Sequence, residues 1–180
     1  MHMATATKQW TLEEVHSLPD DGNKYELVRG ELFVTPPPTD PHETIGARLT
    51  RLIDPFVEQH GLGFVYRPRA VMRFQGSEVE PDLMVRQVHP SAKARWDDAP
   101  IPILIVEILS PGTRRRDQVQ KRSLYMDAGV AEYWMIDPER SAIVVVRPDV
   151  AELLVRDTMT WSPPGAPASL TFEVARVFGP

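Results

Sequence analysis

A run of apolar residues from Ile101 to Leu109 carries one interior charge, Glu107. Its apolar residues follow one another without alternating with polar ones, the pattern of a strand covered on both faces. A chain built around such a strand must place a layer of structure on each side of it, which points to a mixed α/β fold with this segment at its centre. The charge adds a second constraint. Burying an ionised carboxylate without compensation costs several kcal/mol, so Glu107 needs a cation, a proton or a hydrogen-bonded partner. A buried salt bridge, or a strand end that lets the carboxylate reach solvent, would satisfy it without any catalytic role.

The flanking sequence supplies the other layers. Thr11 and Glu14 have the spacing of a capping box ahead of a short helix that ends near Pro19. Alternating residues from Tyr25 to Val34 flank Arg29-Gly30 and read as a hairpin. A helix is expected over His42 to His60, with Ile45, Leu49, Leu52, Ile53, Phe56 and Val57 on one face and a kink at Pro55. Strands are expected at Gly63 to Tyr66, Ala70 to Phe74 and Val79 to Val85. After the central strand, Ser110-Pro111-Gly112-Thr113 breaks the chain, and a helix is expected from Arg114 to Ala128, stopped by Gly129. A hairpin of Tyr133 to Ile136 and Ala142 to Val146 follows, then a strand at Glu152 to Arg156 and a proline-rich loop at Pro163 to Pro167.

With 180 residues, 42% of them hydrophobic and 25% charged, the chain has the size and balance of one globular domain, and residues 1–180 are read as such. Cysteine is absent, which removes disulfides, thiolate metal sites and cysteine nucleophiles from consideration. Met1 to Trp10 lacks the apolar run of a signal peptide, and no stretch approaches the ~20 apolar residues of a membrane span, so a cytoplasmic protein without membrane contact is expected. The net charge of -5 argues against a broadly cationic nucleic-acid binder. Any such contact has to come from a local patch.

Asp82 takes its significance from Glu107. It lies in Glu80-Pro81-Asp82-Leu83-Met84-Val85, on a strand where Glu80 and Asp82 would share a face. Carboxylates converging from neighbouring strands make the hard oxygen site that magnesium prefers; alone, Asp82 reads equally as a strand-end or turn acid. In the helix after Glu107, the residues Asp117, Lys121, Leu124, Tyr125 and Ala128 fall on one stripe, which turns Lys121 toward the core side. Its ammonium could there hold a phosphate or orient an attacking water; an i,i+4 pair with Asp117 on a solvated face is the plainer reading. Arg114, Arg115 and Arg116 open the same helix, at the end its dipole disfavours for cations. With the hydroxyls of Ser110 and Thr113 they could cradle a phosphate, with Arg67, Arg69 and Arg73 extending the patch, or they could simply be solvated.

Three blocks of this sequence resemble the PD-(D/E)XK nuclease superfamily and, within it, the Uma-type family of restriction-endonuclease-like proteins. They are Tyr25-Glu26-Leu27-Val28-Arg29-Gly30-Glu31-Leu32, Pro81-Asp82-Leu83, and the segment from Val106 through Asp117, continuing to Lys121, Tyr125, Ala128-Gly129-Val130 and Glu132 to Pro138. The resemblance implies an αβββαβ core with an N-terminal hairpin and additional C-terminal strands. Asp82, Glu107 and the backbone carbonyl of Ile108 would then hold a magnesium or manganese ion, with Lys121 as the third catalytic residue. Two positions after Glu107, where the superfamily pattern has lysine, stands Leu109; in the Uma-type family that lysine lies in the following helix, and Lys121 matches it. Glu31 and His42 match recurrent family positions and, with Glu80, Asp117 and Tyr125, are auxiliary candidates. The expected activity is metal-dependent endonucleolytic hydrolysis of phosphodiester bonds, with DNA as substrate and a homodimer as the active form, because cutting two strands calls for two sites. A catalytically inactive DNA-binding or partner-binding protein that keeps the fold is the alternative, and a hydrolase of small phosphate esters a third.

Overall fold

The computed structural model describes residues 8–179. The part of the Met1 to Trp10 reading that concerns residues 1–7 lies outside them. The central run forms strand β7 (Leu104–Ile108), with all five residues buried. It sits inside a six-stranded sheet of order β10-β9-β8-β7-β6-β3, whose other members are β3 (Phe64–Tyr66), β6 (Leu83–Arg86), β8 (Glu132–Asp137), β9 (Ala142–Val146) and β10 (Leu153–Val155). Strand β7 runs parallel to β8 and antiparallel to β6. The parallel connection is made by a helix, as the crossover requires.

The lack of alternation in β7 has a direct cause: both of its faces are covered. Leu104, Val106 and Ile108 face a core built with helix α2 (Asp40–Gln59) and with Trp161, Phe172 and Val177 from the C-terminal region. Ile105 and Leu109 face a second core, closed by helix α3 (residues 114–128) and by a four-stranded sheet of order β2-β1-β5-β4. That sheet consists of β1 (Lys24–Val28), β2 (Glu31–Thr35), β4 (Met72–Phe74) and β5 (Ser77–Val79). Alternation along β7 puts Glu107 with Ile105 and Leu109, on the side that faces the smaller sheet. In chain order, α2, β3, β6, β7, α3 and β8 form the expected αβββαβ core, with the β4–β5 pair inserted after β3.

The capping box at the first helix, α1 (Leu12–His16), is present: the Thr11 N–H donates to Glu14 Oε2 at 2.9 Å, and the Glu14 N–H to Thr11 Oγ1 at 3.3 Å. Three expectations need correction. The run Val79 to Val85 is not one strand; it ends β5 at Val79, turns through Glu80-Pro81-Asp82, and starts β6 at Leu83 in the other sheet. Pro81 lacks the N–H that a continuous ladder would need. Helix α3 (residues 114–128) is not regular, since an α-helical turn Arg114–Arg116 and an α-helical segment Arg122–Ala128 flank a π-helical stretch, Asp117–Lys121. Gly129, in the left-handed region at φ 85°, stops it. On either side of the proline-rich loop, where the sequence pattern predicts no strand, β11 (Thr158–Trp161) and β12 (Leu170–Glu173) pair, and a short helix, Ala175–Phe178, follows.

Leu104 lies at the junction of α2 and the sheet with no exposed surface. Leu104→Ala is expected to lower the unfolding free energy by about 2–5 kcal/mol in urea titrations. Leu153→Ala, on the edge strand β10 where the side chain is 52% exposed, should change it by less than about 0.5 kcal/mol.

Candidate active site

The site lies where β6 and β7 come apart. Leu83 pairs with Val106 in the antiparallel register, so extending it by one residue sets Asp82 opposite Glu107. The turn at Pro81 frees Asp82 from the ladder, and its Oδ2 accepts the backbone N–H of Ile108 at 2.8 Å. In an extended strand the N–H and C=O of one residue face the same edge. The Ile108 carbonyl therefore faces the Asp82 side, beyond the last β6 pairing. His42, from the first turn of α2, donates from Nε2 to the same Oδ2 at 3.1 Å. Oδ1 has no hydrogen bond among the described residues, and the Lys24 ammonium stands 3.6 Å from it.

Glu107 is held from helix α3. Its Oε1 accepts from Lys121 Nζ at 2.7 Å and from the Tyr125 hydroxyl at 2.6 Å, while Oε2 has no hydrogen bond among the described residues. Lys121 is wholly buried, and its ammonium is shared: Glu26 Oε1 also lies 2.7 Å away, with Asp117 Oδ1 at 3.9 Å. Glu26 in turn accepts the Glu80 N–H at 2.9 Å, and its other oxygen lies 3.5 Å from Arg116 and 3.9 Å from Lys24. Lys24 also donates to the Glu80 carbonyl at 3.0 Å.

The sequence reading missed Glu26 and Lys24. The available signal was the one used for Glu107, a carboxylate in an apolar strand: Glu26 precedes Leu27 and Val28, both buried. Glu80 reaches the site through its backbone rather than as a third acid. Glu31 lies exposed at the end of the hairpin, paired across it with Val28 and without a polar contact to Asp82 or Glu107 among the described residues. His42, Asp117 and Tyr125 all join the cluster. The proposed arginine cradle is largely committed elsewhere. Arg114 forms two bonds to Asp137, at 2.7 and 3.0 Å, and one to Glu139. Arg116 is buried over Phe33, bonded to the Thr35 hydroxyl at 2.8 Å, so of the three only Arg115 is exposed. Ser110 and Thr113 bond mainly to each other. Arg67 and Arg73 pair with Glu43 and with Glu78 and Asp97 respectively, and so do not extend a patch.

Charge is distributed unevenly over the cluster. Burial pushes the Asp82 carboxyl up, but the His42 hydrogen bond, the Lys24 charge and the Ile108 N–H outweigh it and hold Asp82 well below the usual carboxylate range. Burial pushes Glu107 up to about 7; Lys121 opposes this, while Asp82 and Asp117 add to it. Burial works against the Lys121 ammonium too, yet Glu107, Glu26 and Asp117 raise its pKa, so it keeps its proton. One ammonium cannot fully compensate two carboxylates, and Glu107 is the one left to take up a proton. His42 is likewise lowered by burial and raised overall by Asp82.

Among the described residues, no three acidic or histidine side chains converge as a metal-binding group. The donor set is two carboxylates and a backbone carbonyl. It fits a hard divalent cation, because Asp82 Oδ1 and Glu107 Oε2 are free of hydrogen bonds and Glu107 carries a charge that the protein only partly compensates.

An αβββαβ core with paired strand-end carboxylates and a lysine behind them defines a restriction-endonuclease-like protein. The chain belongs to the Uma2 family, described as "Putative restriction endonuclease", which matches residues 12–175. A solved structure described as "a putative nuclease belonging to DUF820 from Anabaena variabilis ATCC 29413" aligns with a TM-score of 0.78 and 20% identity, covering 94% of this chain and 97% of that one. At that identity the likeness is one of fold. No curated protein matches the sequence. No helix among the described residues is long and apolar enough to cross a membrane.

The two carboxylates give opposite pH dependences. Glu107, raised in the fold, stabilises fully below its unfolded value near 4.5 and loses that contribution as pH rises toward about 7. Asp82, lowered in the fold, stabilises above its unfolded value and loses that contribution in strong acid. In urea melts with a chelator present, Glu107→Gln should remove the wild type's loss of stability between pH 4.5 and 7 and leave the acid limb in place. Parallel curves for the two proteins across that window would show that Glu107 does not titrate there.

Proposed function

We propose that this protein is a divalent-metal-dependent nuclease that hydrolyses phosphodiester bonds, with DNA as its substrate. The observation that carries the reading is the pairing of Asp82 and Glu107 on adjacent strand ends, each fixed through one oxygen and open at the other. Fold and family support it.

Asp82, Glu107 and the Ile108 carbonyl would hold magnesium or manganese. Once bound, the ion would act as a Lewis acid on the phosphate, lower the pKa of a water and offset developing charge. The chain's own groups orient and hold. His42 and the Ile108 N–H fix the Asp82 carboxylate, while Lys121 and Tyr125 fix Glu107, leaving Asp82 Oδ1 and Glu107 Oε2 free. The fully buried Lys121 is out of reach of a phosphate in this arrangement, so it acts through Glu107 as a positioning residue. That revises the phosphate-contacting role expected from the sequence. Hydrolysis breaks one P–O bond as water oxygen adds at phosphorus in line with it, and the departing oxygen takes up a proton. Arg115, exposed at the start of α3, is the candidate for a backbone phosphate contact. Two-strand cutting would take two such sites, as in a homodimer.

Supercoiled plasmid tests this. Wild-type protein with magnesium or manganese should produce nicked and linear forms, and EDTA should stop it. Asp82→Ala should leave no detectable product, and His42→Ala, which frees the Asp82 carboxylate to swing, should slow cleavage about 10- to 100-fold. Equal nicking by all three proteins would reject the site. Failure of the wild type to cut, with its oligonucleotide binding intact, would favour the non-catalytic binding reading.

A further inference from the structure

Glu26 belongs to the smaller sheet, while the paired acids belong to the larger one, yet its carboxylate is buried against the same ammonium that holds Glu107. Both contacts measure 2.7 Å, so neither carboxylate is the closer partner by distance. They differ in what else holds them. Glu26 is anchored by the Glu80 N–H and lies within 4 Å of Arg116 and Lys24. Among the described residues, Glu107 has only the Tyr125 hydroxyl besides Lys121, and its other oxygen belongs to the donor set. We propose that Glu26 is a positioning residue that shares the Lys121 ammonium with Glu107, drawing part of its charge away from the carboxylate that would take a divalent cation at Oε2, and so sets how readily the site takes up metal.

The physical reason is competition. A cation on Glu107 and an ammonium bonded to the same carboxylate repel each other, strongly so in a buried site. Without a second carboxylate, Lys121 would have Glu107 as its one close anionic partner, with Asp117 farther off at 3.9 Å, and a cation arriving at Glu107 Oε2 would meet the undivided ammonium charge. Glu26 provides that second carboxylate, and burial leaves the ammonium no route to solvent.

This inference rests on the metal site proposed above, and the test separates the two. Manganese binding is measured by calorimetry without nucleic acid, on wild type, Asp82→Ala, Glu26→Gln, Lys121→Met and the double variant Glu26→Gln/Lys121→Met, with circular dichroism to establish folding. Glu26→Gln should bind manganese about 10- to 100-fold more weakly, and adding Lys121→Met should recover most of that loss, because it removes the competing ammonium. Urea melts beside the calorimetry separate this from a role limited to maintaining the fold, which would lower stability in Glu26→Gln without changing the manganese affinity of the folded protein. Glu26→Asp, which keeps the charge one methylene short of Lys121, provides the same comparison should Glu26→Gln not fold. Unchanged affinity in Glu26→Gln, or a loss that persists in the double variant, overturns the role given to Glu26. Wild type that takes up manganese no better than Asp82→Ala overturns the metal site itself, and this proposal with it.

Discussion

The structure depends on a lysine with no solvent contact, held between carboxylates from two different sheets. Removing such charges from water costs several kcal/mol per ion, and close pairing recovers that cost only when the remaining lone pairs and protons are also satisfied. The surroundings of Lys121 meet that condition closely. Tyr125 satisfies Glu107, the Glu80 N–H satisfies Glu26, and Arg116 and Lys24 supply further positive charge. Among the described residues, Glu26 Oε2 is buried without a hydrogen bond and Glu107 Oε2 has none. A hydrophobic seam between the sheets would have been simpler to stabilise. A polar seam of this kind instead fixes the separation and register of the two sheets at the point where the acids emerge.

Three irregularities combine to produce that point. Pro81 ends one strand and lets Asp82 leave the ladder, so its side chain can accept the Ile108 N–H as a strand partner would. The π-helical stretch in α3 contributes both Asp117 and Lys121 to the interior. Such single-turn departures cost helix stability and recur at functional sites. Pairing of β7 with β8 runs parallel, so α3 must cross back over the sheet, which brings Lys121 and Tyr125 above Glu107. None of these features alone makes a site. Together they place two carboxylates side by side, each with one oxygen immobilised.

The fold was legible where periodicity was strong. The uninterrupted apolar run gave β7 its two covered faces, and the spacing of Ile45, Leu49, Ile53, Phe56 and Val57 gave α2, which begins two residues earlier than expected. The weakly patterned parts were not legible. β11 and β12 are four residues each, too short to show a period, and they are recognised only from the burial of Met159, Trp161 and Phe172. Among the site residues, Glu107 was readable because its burial violates a physical expectation, and Asp82 and Lys121 were readable by their relation to it. Glu26 carries the same violation, but it sits in a hairpin, where one face is ordinarily solvated and a carboxylate is unexceptional in the sequence. Here the smaller sheet turns that face inward.

The arginines show the limit of composition as a guide to binding. Arg114, Arg115 and Arg116 are adjacent in sequence, yet a helix sends neighbours about 100° apart around its axis, so the triplet cannot act as one patch. Arg116 turns inward to Glu26, Arg114 turns to Asp137 at the end of β8, and Arg115 is left to solvent. Arg114 therefore ties the start of α3 to the strand beside β7, while Arg116 ties it to the smaller sheet. Cations at the dipole-disfavoured end of a helix cost stability unless nearby carboxylates offset them. Paired with buried carboxylates, they become the clamps that hold α3, and with it Lys121, over the two acids.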